Sequence, residues 1–236
     1  FCNITALFGR TPRTKTPQQV VDELEAIYQA GWRGNIFFVD DNFIGNKRSL
    51  KEHLLPALIK WRKDKKGCVF FTEASINLAD DPELMDMMAE AGFDSVFIGI
   101  ETPDVNSLTE CCKTHNKNRD LLQDVKKIHR SGLQVMGGFI VGFDSDPPSI
   151  FKRQIDFIQQ SGIVTAMVGM LQAPPGTRLF ERLAREQRVC TEFSGDNVDG
   201  RTNIIPAMGL DKLVDGYRSI MRQIYAPREY YQRVRR

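Results

Sequence analysis

Two hydrophobic periods take turns along this chain. Stretches with apolar residues three and four apart, the pattern of a helix with one buried face, give way to short unbroken apolar runs, the pattern of a buried strand. Four times the switch falls at a small residue followed by glycine: Ala30-Gly31, Ala91-Gly92, Ser131-Gly132 and Ser161-Gly162. The runs behind them are Ile36–Asp40, Val96–Glu101, Val135–Gly142 and Ala166–Gln172, and Val69–Glu73 makes a fifth. A glycine just past a helix tolerates positive φ and lets the chain reverse at once, so the pattern predicts parallel strands joined by crossover helices. Because the runs are continuous, both faces of the sheet are expected to be covered.

The helices carry start signals. Thr16-Pro17-Gln18-Gln19 combines a hydroxyl N-cap, proline at the first helical position and a capping-box glutamine, and Val20, Val21, Leu24, Ile27 and Tyr28 follow on one face. A second helix is expected from about Leu50 to Lys63, and a third after Asp81-Pro82 with Leu84, Met87, Met88 and Ala91 buried. Two more run through Leu121–Ile128 and Phe151–Ile158, and Thr177 caps a short one. From Arg188 to Gly209 the chain is polar and irregular, and one amphipathic helix (Leu213, Val214, Tyr217, Ile220, Met221, Ile224) closes it. Tyr225, Tyr230 and Tyr231 read as packing residues.

With 236 residues, 42% of them hydrophobic, the chain can bury one sizeable core, the size of a β/α barrel or part of one. Residues 1–185 are expected to form that core and 186–236 a helical appendage. The net charge of +2 is scattered, which excludes the basic stripe of a nucleic-acid binder; Arg233, Arg235 and Arg236 read as a solvated helix end. No stretch approaches a bilayer span, and no signal-peptide pattern opens the chain. Five cysteines without a secretory signal point to a reducing compartment, the cytoplasm. Beginning at Phe1-Cys2 rather than methionine, the chain reads as a fragment.

Loops after parallel strands form the face where side chains from different strands converge, so strand ends decide function. Here the first ends in Asp40-Asp41-Asn42, the second in Glu73 and the third in Glu101. Gathered carboxylates suit a cationic or hydroxyl-rich ligand; their plainer role is to cap the following helices. The fourth strand, Gly137-Gly138-Phe139-Ile140-Val141-Gly142, carries glycines that weaken a strand unless a ligand or backbone approaches closely. A flat aromatic ligand such as adenine fits that need, as does tight helix packing. A divalent cation held by Asp40, Asp41, Glu73 and Glu101 would instead make a lyase or hydrolase, and a binding scaffold needs no cofactor. Cys68, Cys111, Cys112 and Cys190, with His53, His115 and His129, lack metal-ligand spacing.

Phe1-Cys2 resembles the end of the C-x-x-x-C-x-aromatic-C loop of radical S-adenosylmethionine (SAM) enzymes, and the strands follow that family's partial (β/α)6 TIM-like barrel with its first strand missing. The resemblance implies that Cys2 is the third ligand of a [4Fe-4S] cluster beside Phe1, and that SAM binds the open iron and is cleaved to a 5′-deoxyadenosyl radical. Asp40, Asp41 and Asn42 stand where the family's Gly-Gly-Glu motif holds the SAM amino group, with acids and an amide in place of the glycines. Glu73 ends the neighbouring strand, and Glu101 stands at the ribose position. Gly138, Ile140 and Gly142 match the adenine motif, whose trailing glutamate is replaced by Ser145 between Asp144 and Asp146; Ala173 and Pro174 stand where backbone contacts to adenine are usual. Cys2-Asn3-Ile4, Phe38–Phe43 and Ala173–Thr177 further resemble the cobalamin-associated branch that includes hopanoid C-2 methylases. That implies methyl transfer to an unactivated carbon of a small or lipid-like substrate, cobalamin bound by a domain outside this chain, and a one-electron donor such as flavodoxin or ferredoxin. A single thiolate cannot hold four irons, so residues 1–236 alone are expected to be inactive.

Overall fold

The computed structural model describes residues 13–196 and 198–235, with Ile4, Leu7 and Gly9. Phe1 and Cys2 lie outside the described residues. Helix α1 (Pro17–Gln29) begins with the expected reciprocal cap between Thr16 and Gln19. Strand β1 (Asn35–Phe38) follows, and a π-helical turn (Leu50–Leu54) leads into α2 (Leu55–Arg62). Next come β2 (Val69–Glu73), α3 (Pro82–Ala91), capped by Asp81 on the Leu84 amide, and β3 (Phe93–Glu101). A helix without a sequence signal, α4 (Val105–Glu110), is capped by Asp104 and precedes α5 (Leu121–Arg130) and β4 (Gln134–Val141). The order continues with α6 (Ile150–Ser161), β5 (Ala166–Met170) and α7 (Arg178–Arg185), capped by Thr177. The five strands form one sheet in the order β1-β2-β3-β4-β5, and the pairs β1–β2, β2–β3 and β4–β5 are parallel. The glycines that end the helices take φ of +90° at Gly31, +103° at Gly92, +89° at Gly132 and +78° at Gly162.

The chain divides into two compact units, one of residues 11–98 and 124–135, the other of 1–10, 99–123 and 136–236. In the first, Leu58 and Trp61 of α2 and Leu84, Met88 and Ala91 of α3 are buried, and Trp61 stacks on Phe70 of β2. In the second, Phe139 of β4 meets Phe157 of α6 edge-on, and Gly216 gives the Phe151 ring room to lie close to α8 (Leu210–Ile224).

Burial corrects the expectation of two covered faces. Along parts of β2 to β5 it alternates: Phe70 and Thr72, Val96 and Ile98, Phe139 and Val141, Ala166 and Val168 are buried. Their neighbours Phe71, Phe97, Ile140 and Met167 are half-buried or exposed. One face packs on helices, while the other carries apolar side chains, with Phe37 stacked on Phe71 at 4.7 Å. The strands thus combine the continuous apolar sequence of a two-sided sheet with the burial of a one-sided one.

Two further expectations change at the C-terminus. The closing helix is two, α8 and α9 (Pro227–Val234), because extended Ala226 precedes Pro227, which starts a new helix and cannot continue the old one. Arg233 is not solvated: it is 1% exposed, donates to Gln159 Oε1 at 2.9 Å and lies over the rings of Tyr225 and Tyr230. Tyr225, 40% exposed, is tied by its hydroxyl, which accepts from the Ala166 amide at 3.1 Å and donates to the Ala166 carbonyl at 2.8 Å, while Tyr231 is 58% exposed and does not take the expected packing role. No helix among the described residues is long and apolar enough to cross a membrane.

The alternation has a measurable consequence. Ile98→Ala, on the helix-covered face, should cost about 2–5 kcal/mol in urea denaturation, whereas Met167→Ala, on the open face, should cost under about 1 kcal/mol.

Candidate functional site

In the first unit β1 stops at Phe38, so Asp40 and Asp41 lie in the loop beyond the strand end, both exposed. The Asp40 amide turns back on the Phe38 carbonyl at 2.9 Å. Desolvation, and then the like charge of Asp41, push the Asp40 carboxyl above its ordinary pKa. No side chain among the described residues hydrogen-bonds or pairs with either acid. Asn42 is already employed: its Oδ1 accepts from the Ser75 amide at 3.0 Å and hydroxyl at 3.2 Å, bracing the loop after β1 against the loop after β2. Glu73 ends β2, half-buried, in register with Phe97.

In the second unit Glu101 ends β3 at φ +66°, a left-handed conformation that costs a side-chain-bearing residue on the order of 1–3 kcal/mol. Its carboxylate, 9% exposed, pairs with Lys113 Nζ at 2.8 Å. Gln154, fully buried on α6, donates from Nε2 to the carbonyls of Glu101 at 3.1 Å and Ile140 at 3.2 Å, tying the ends of β3 and β4. Asn116 does the same one step back, donating from Nδ2 to the carbonyls of Gly99 at 3.1 Å and Ile100 at 3.0 Å. Both amides are buried, and neither side-chain oxygen has a hydrogen-bond partner.

Gly138 and Ile140 alternate within β4, so the strand period puts them on the face opposite Phe139 and Val141, and Gly142 lies just past the strand end. Ile140 packs against an apolar cluster that includes Leu171, Ala173 and Phe143, which brings it together with Ala173; Pro174 follows, half-buried. Asn203 holds Ala173 from both sides, accepting from its amide at 2.8 Å and donating to its carbonyl at 2.9 Å. Gly142 has φ +108°, and a Cβ there would meet Leu213 of α8 at 3.0 Å. Helix packing therefore accounts for Gly142, whereas nothing of the kind is needed for Ile140.

The turn after β4 is closed by Asp146, not Ser145. Its carboxylate accepts from the amides of Gly142 at 2.8 Å and Phe143 at 3.1 Å and from the Ser107 hydroxyl at 2.6 Å. Burial outweighs those bonds and pushes its pKa up to about 6. Asp144 next to it is held well below its ordinary value, first by Arg188 and then by Arg182, both bonded to its carboxylate.

Asn116 and Lys113 carry no sequence signal, because they lie in a polar segment without period. Gln154 had one: it occupies an apolar position of α6 between Ile150 and Ile158. The cysteines stay out of the site. Cys68, Cys111, Cys112 and Cys190 are free, and burial pushes the Cys111 thiol up to about 11, so it stays protonated. Among the described residues no group of three or more His, Cys, Asp or Glu could hold a metal ion. They therefore supply no cluster ligand set and no divalent-cation site, and the expected ligand Cys2 is outside them.

Comparison with known proteins gives two family matches: the radical SAM superfamily over residues 1–158, and a domain of unknown function (DUF4070) over residues 177–236. An uncharacterized methyltransferase of Synechocystis sp. is 45% identical over 99% of this chain and 44% of its own length. The hopanoid C-2 methylase of Rhodopseudomonas palustris is 38% identical over 99% of this chain and 43% of its own. The chain thus spans less than half the length of these relatives. Among solved structures, the radical SAM methyltransferase TsrM of Kitasatospora setae, with cobalamin and a [4Fe-4S] cluster bound, superposes with a TM-score of 0.60 at 16% identity, over 92% of this chain and 41% of that one. Methylornithine synthase superposes with a TM-score of 0.52 at 11% identity, over 95% of this chain and 61% of that one. At such identities the likeness shows the fold alone, a partial TIM-like barrel.

The buried turn makes a pH prediction. The Asp146 carboxyl titrates near 6 when folded and near its ordinary 3.8 when unfolded, so the native state holds the extra proton between those values. Stability from this group should fall as pH rises from about 4 to about 6, and Asp146→Asn should remove that slope from thermal melts across the window.

Proposed function

This chain belongs to the radical SAM superfamily, and from that premise we propose that it is the SAM-binding core of a cobalamin-assisted methyltransferase acting on an unactivated carbon of a small or lipid-like substrate. The observation that carries the reading is the order of the strand ends on a sheet of the family's fold. Acid acceptors follow β1, a carboxylate ends β3, a Gly-x-Ile-x-Gly run fills β4, and Ala173-Pro174 follows β5. The names of the relatives, a methylase and a methyltransferase, support methyl transfer, and the cobalamin in TsrM supports the cofactor.

When bound, the cluster supplies the electron that splits the SAM sulfonium into methionine and a 5′-deoxyadenosyl radical. The described residues do the holding. Asp40 and Asp41 repel each other and have no cation among the described residues, and the amino group of SAM supplies one. A charge pair near 4 Å is worth on the order of 4 kcal/mol at an effective dielectric of 20, enough to orient that end of the ligand. Glu101 accepts from the ribose hydroxyls. Ile140, beside side-chain-free Gly138, offers the flat apolar surface that adenine needs, and Ala173 and Pro174 line its edge. In this reading Cys2, outside the described residues, is a cluster ligand beside Phe1, and Glu73 completes the amino-group side with Asn42, which also braces the loop through Ser75. Residues 1–185 are the core and 186–236 an appendage; the rest of the protein binds cobalamin. A cytoplasmic flavodoxin or ferredoxin is the reductant.

The test is anaerobic iron–sulfide reconstitution of the full-length protein, with 5′-deoxyadenosine measured by mass spectrometry. The unmodified protein should form it, and Cys2→Ala should form none. Asp40→Ala should raise the KM for SAM by about tenfold, the loss of one charge-assisted contact. A reconstituted protein that binds iron but never forms 5′-deoxyadenosine would overturn the reading.

A further inference from the structure

We propose that Lys113 is a positioning residue for SAM: by pinning the Glu101 carboxylate over Gly99, it sets the preference of the site for a ribose over a deoxyribose nucleoside. The proposal rests on reading Glu101 as the ribose contact.

The local structure is built around that ion pair. Glu101 and Gly99 share one face of β3 by the strand period, and the Glu101 backbone ends the strand in the left-handed region, at φ +66°. The Glu101 carboxylate lies over Gly99, where a Cβ would stand 2.5 Å from Glu101 Oε1 and 3.0 Å from Lys113 Nζ. The missing side chain at 99 is the space that the pair occupies. On the opposite side, Lys113 is delivered by a second strained residue. Cys112, at φ +58°, reverses the chain at the end of α4, and the Lys113 amide bonds back to the Leu108 carbonyl at 3.0 Å, a helix-ending turn usually left to glycine. Asn116, three residues on, clamps the Gly99 and Ile100 carbonyls, while Gln154 clamps that of Glu101. The backbone beneath the carboxylate is therefore held at three successive carbonyls, and its head at Lys113.

Exposure gives the pair a direction. The Glu101 side chain is 9% exposed and Lys113 24%, so the lysine faces water and the carboxylate is turned inward. A cis-diol donates two O–H groups, and a carboxylate accepts both well only when its plane is fixed; a 2′-deoxynucleoside offers one fewer. Without Lys113 the carboxylate gains rotational freedom and loses the charge that compensates its burial.

The experiment uses the full-length protein and two neutral probes, 5′-deoxyadenosine and 2′,5′-dideoxyadenosine, which lack the amino-acid end of SAM. Calorimetric Kd values should favour the ribose probe by about tenfold in the unmodified protein, a discrimination that one buried polar contact can supply. Lys113→Met should bring the ratio to within about twofold, as should Glu101→Gln, and Lys113→Arg should keep it, because the guanidinium restores the charged partner. Lys113→Gln gives the same reading if the Met variant does not fold by circular dichroism. If Glu101→Gln loses the preference and the neutral Lys113 variants keep it, Lys113 is only a structural tie and the proposal falls. If Glu101→Gln also keeps it, the ribose reading falls, and this proposal with it.

Discussion

A parallel strand that ends before its neighbours leaves carbonyl groups facing neither a partner strand nor water, and here side-chain amides meet that need. Gln154 donates to Glu101 and Ile140 at once, and so couples the ends of β3 and β4 through one fully buried nitrogen. A buried carbonyl left unpaired costs about 1–3 kcal/mol, so the position of each strand end is tied to the α6 helix that carries the amide. Candidate ligand contacts of the second unit sit on such ties, Glu101 on Gln154 and Ala173 on Asn203, while the Gly142 turn is held instead by the Asp146 carboxylate, which accepts from its amide. The site is placed by carbonyl and amide pairing, and apolar packing fills in behind it.

Much of this was legible in the residues. The helix-glycine-strand grammar placed the strands, and Thr16, Asp81 and Thr177 cap the helices they announced, because capping is local chemistry that short-range sequence records. What was illegible depended on which side of a strand meets helices. Phe37, Phe71 and Met167 are as apolar as their buried neighbours, so the pattern could not tell a face left open from one that packs. Arg233 failed for a related reason. A charge beside other charges reads as solvated, and only the tertiary fold shows two tyrosine rings and Gln159 around it.

Electrostatics separates the loops by purpose. After β4, Asp144 is shared by Arg182 and Arg188, and Glu110 accepts from the Asp144 and Ser145 amides, so neighbouring elements hold that loop. After β1, Asp40 and Asp41 stand together with no described cation, and desolvation with the like charge of Asp41 raises the Asp40 pKa. The charges after β4 are met by side chains of this chain, whereas those after β1 meet no described cation, the kind of setting in which functional sites gather perturbed carboxyls.

The hydroxyl of Tyr225 occupies both the donor and the acceptor of Ala166, at the start of the outermost strand of the described sheet. A terminal strand with open rungs is a template on which another chain can add itself. By closing the first rung, the single phenol of Tyr225 guards that edge against another strand pairing along it.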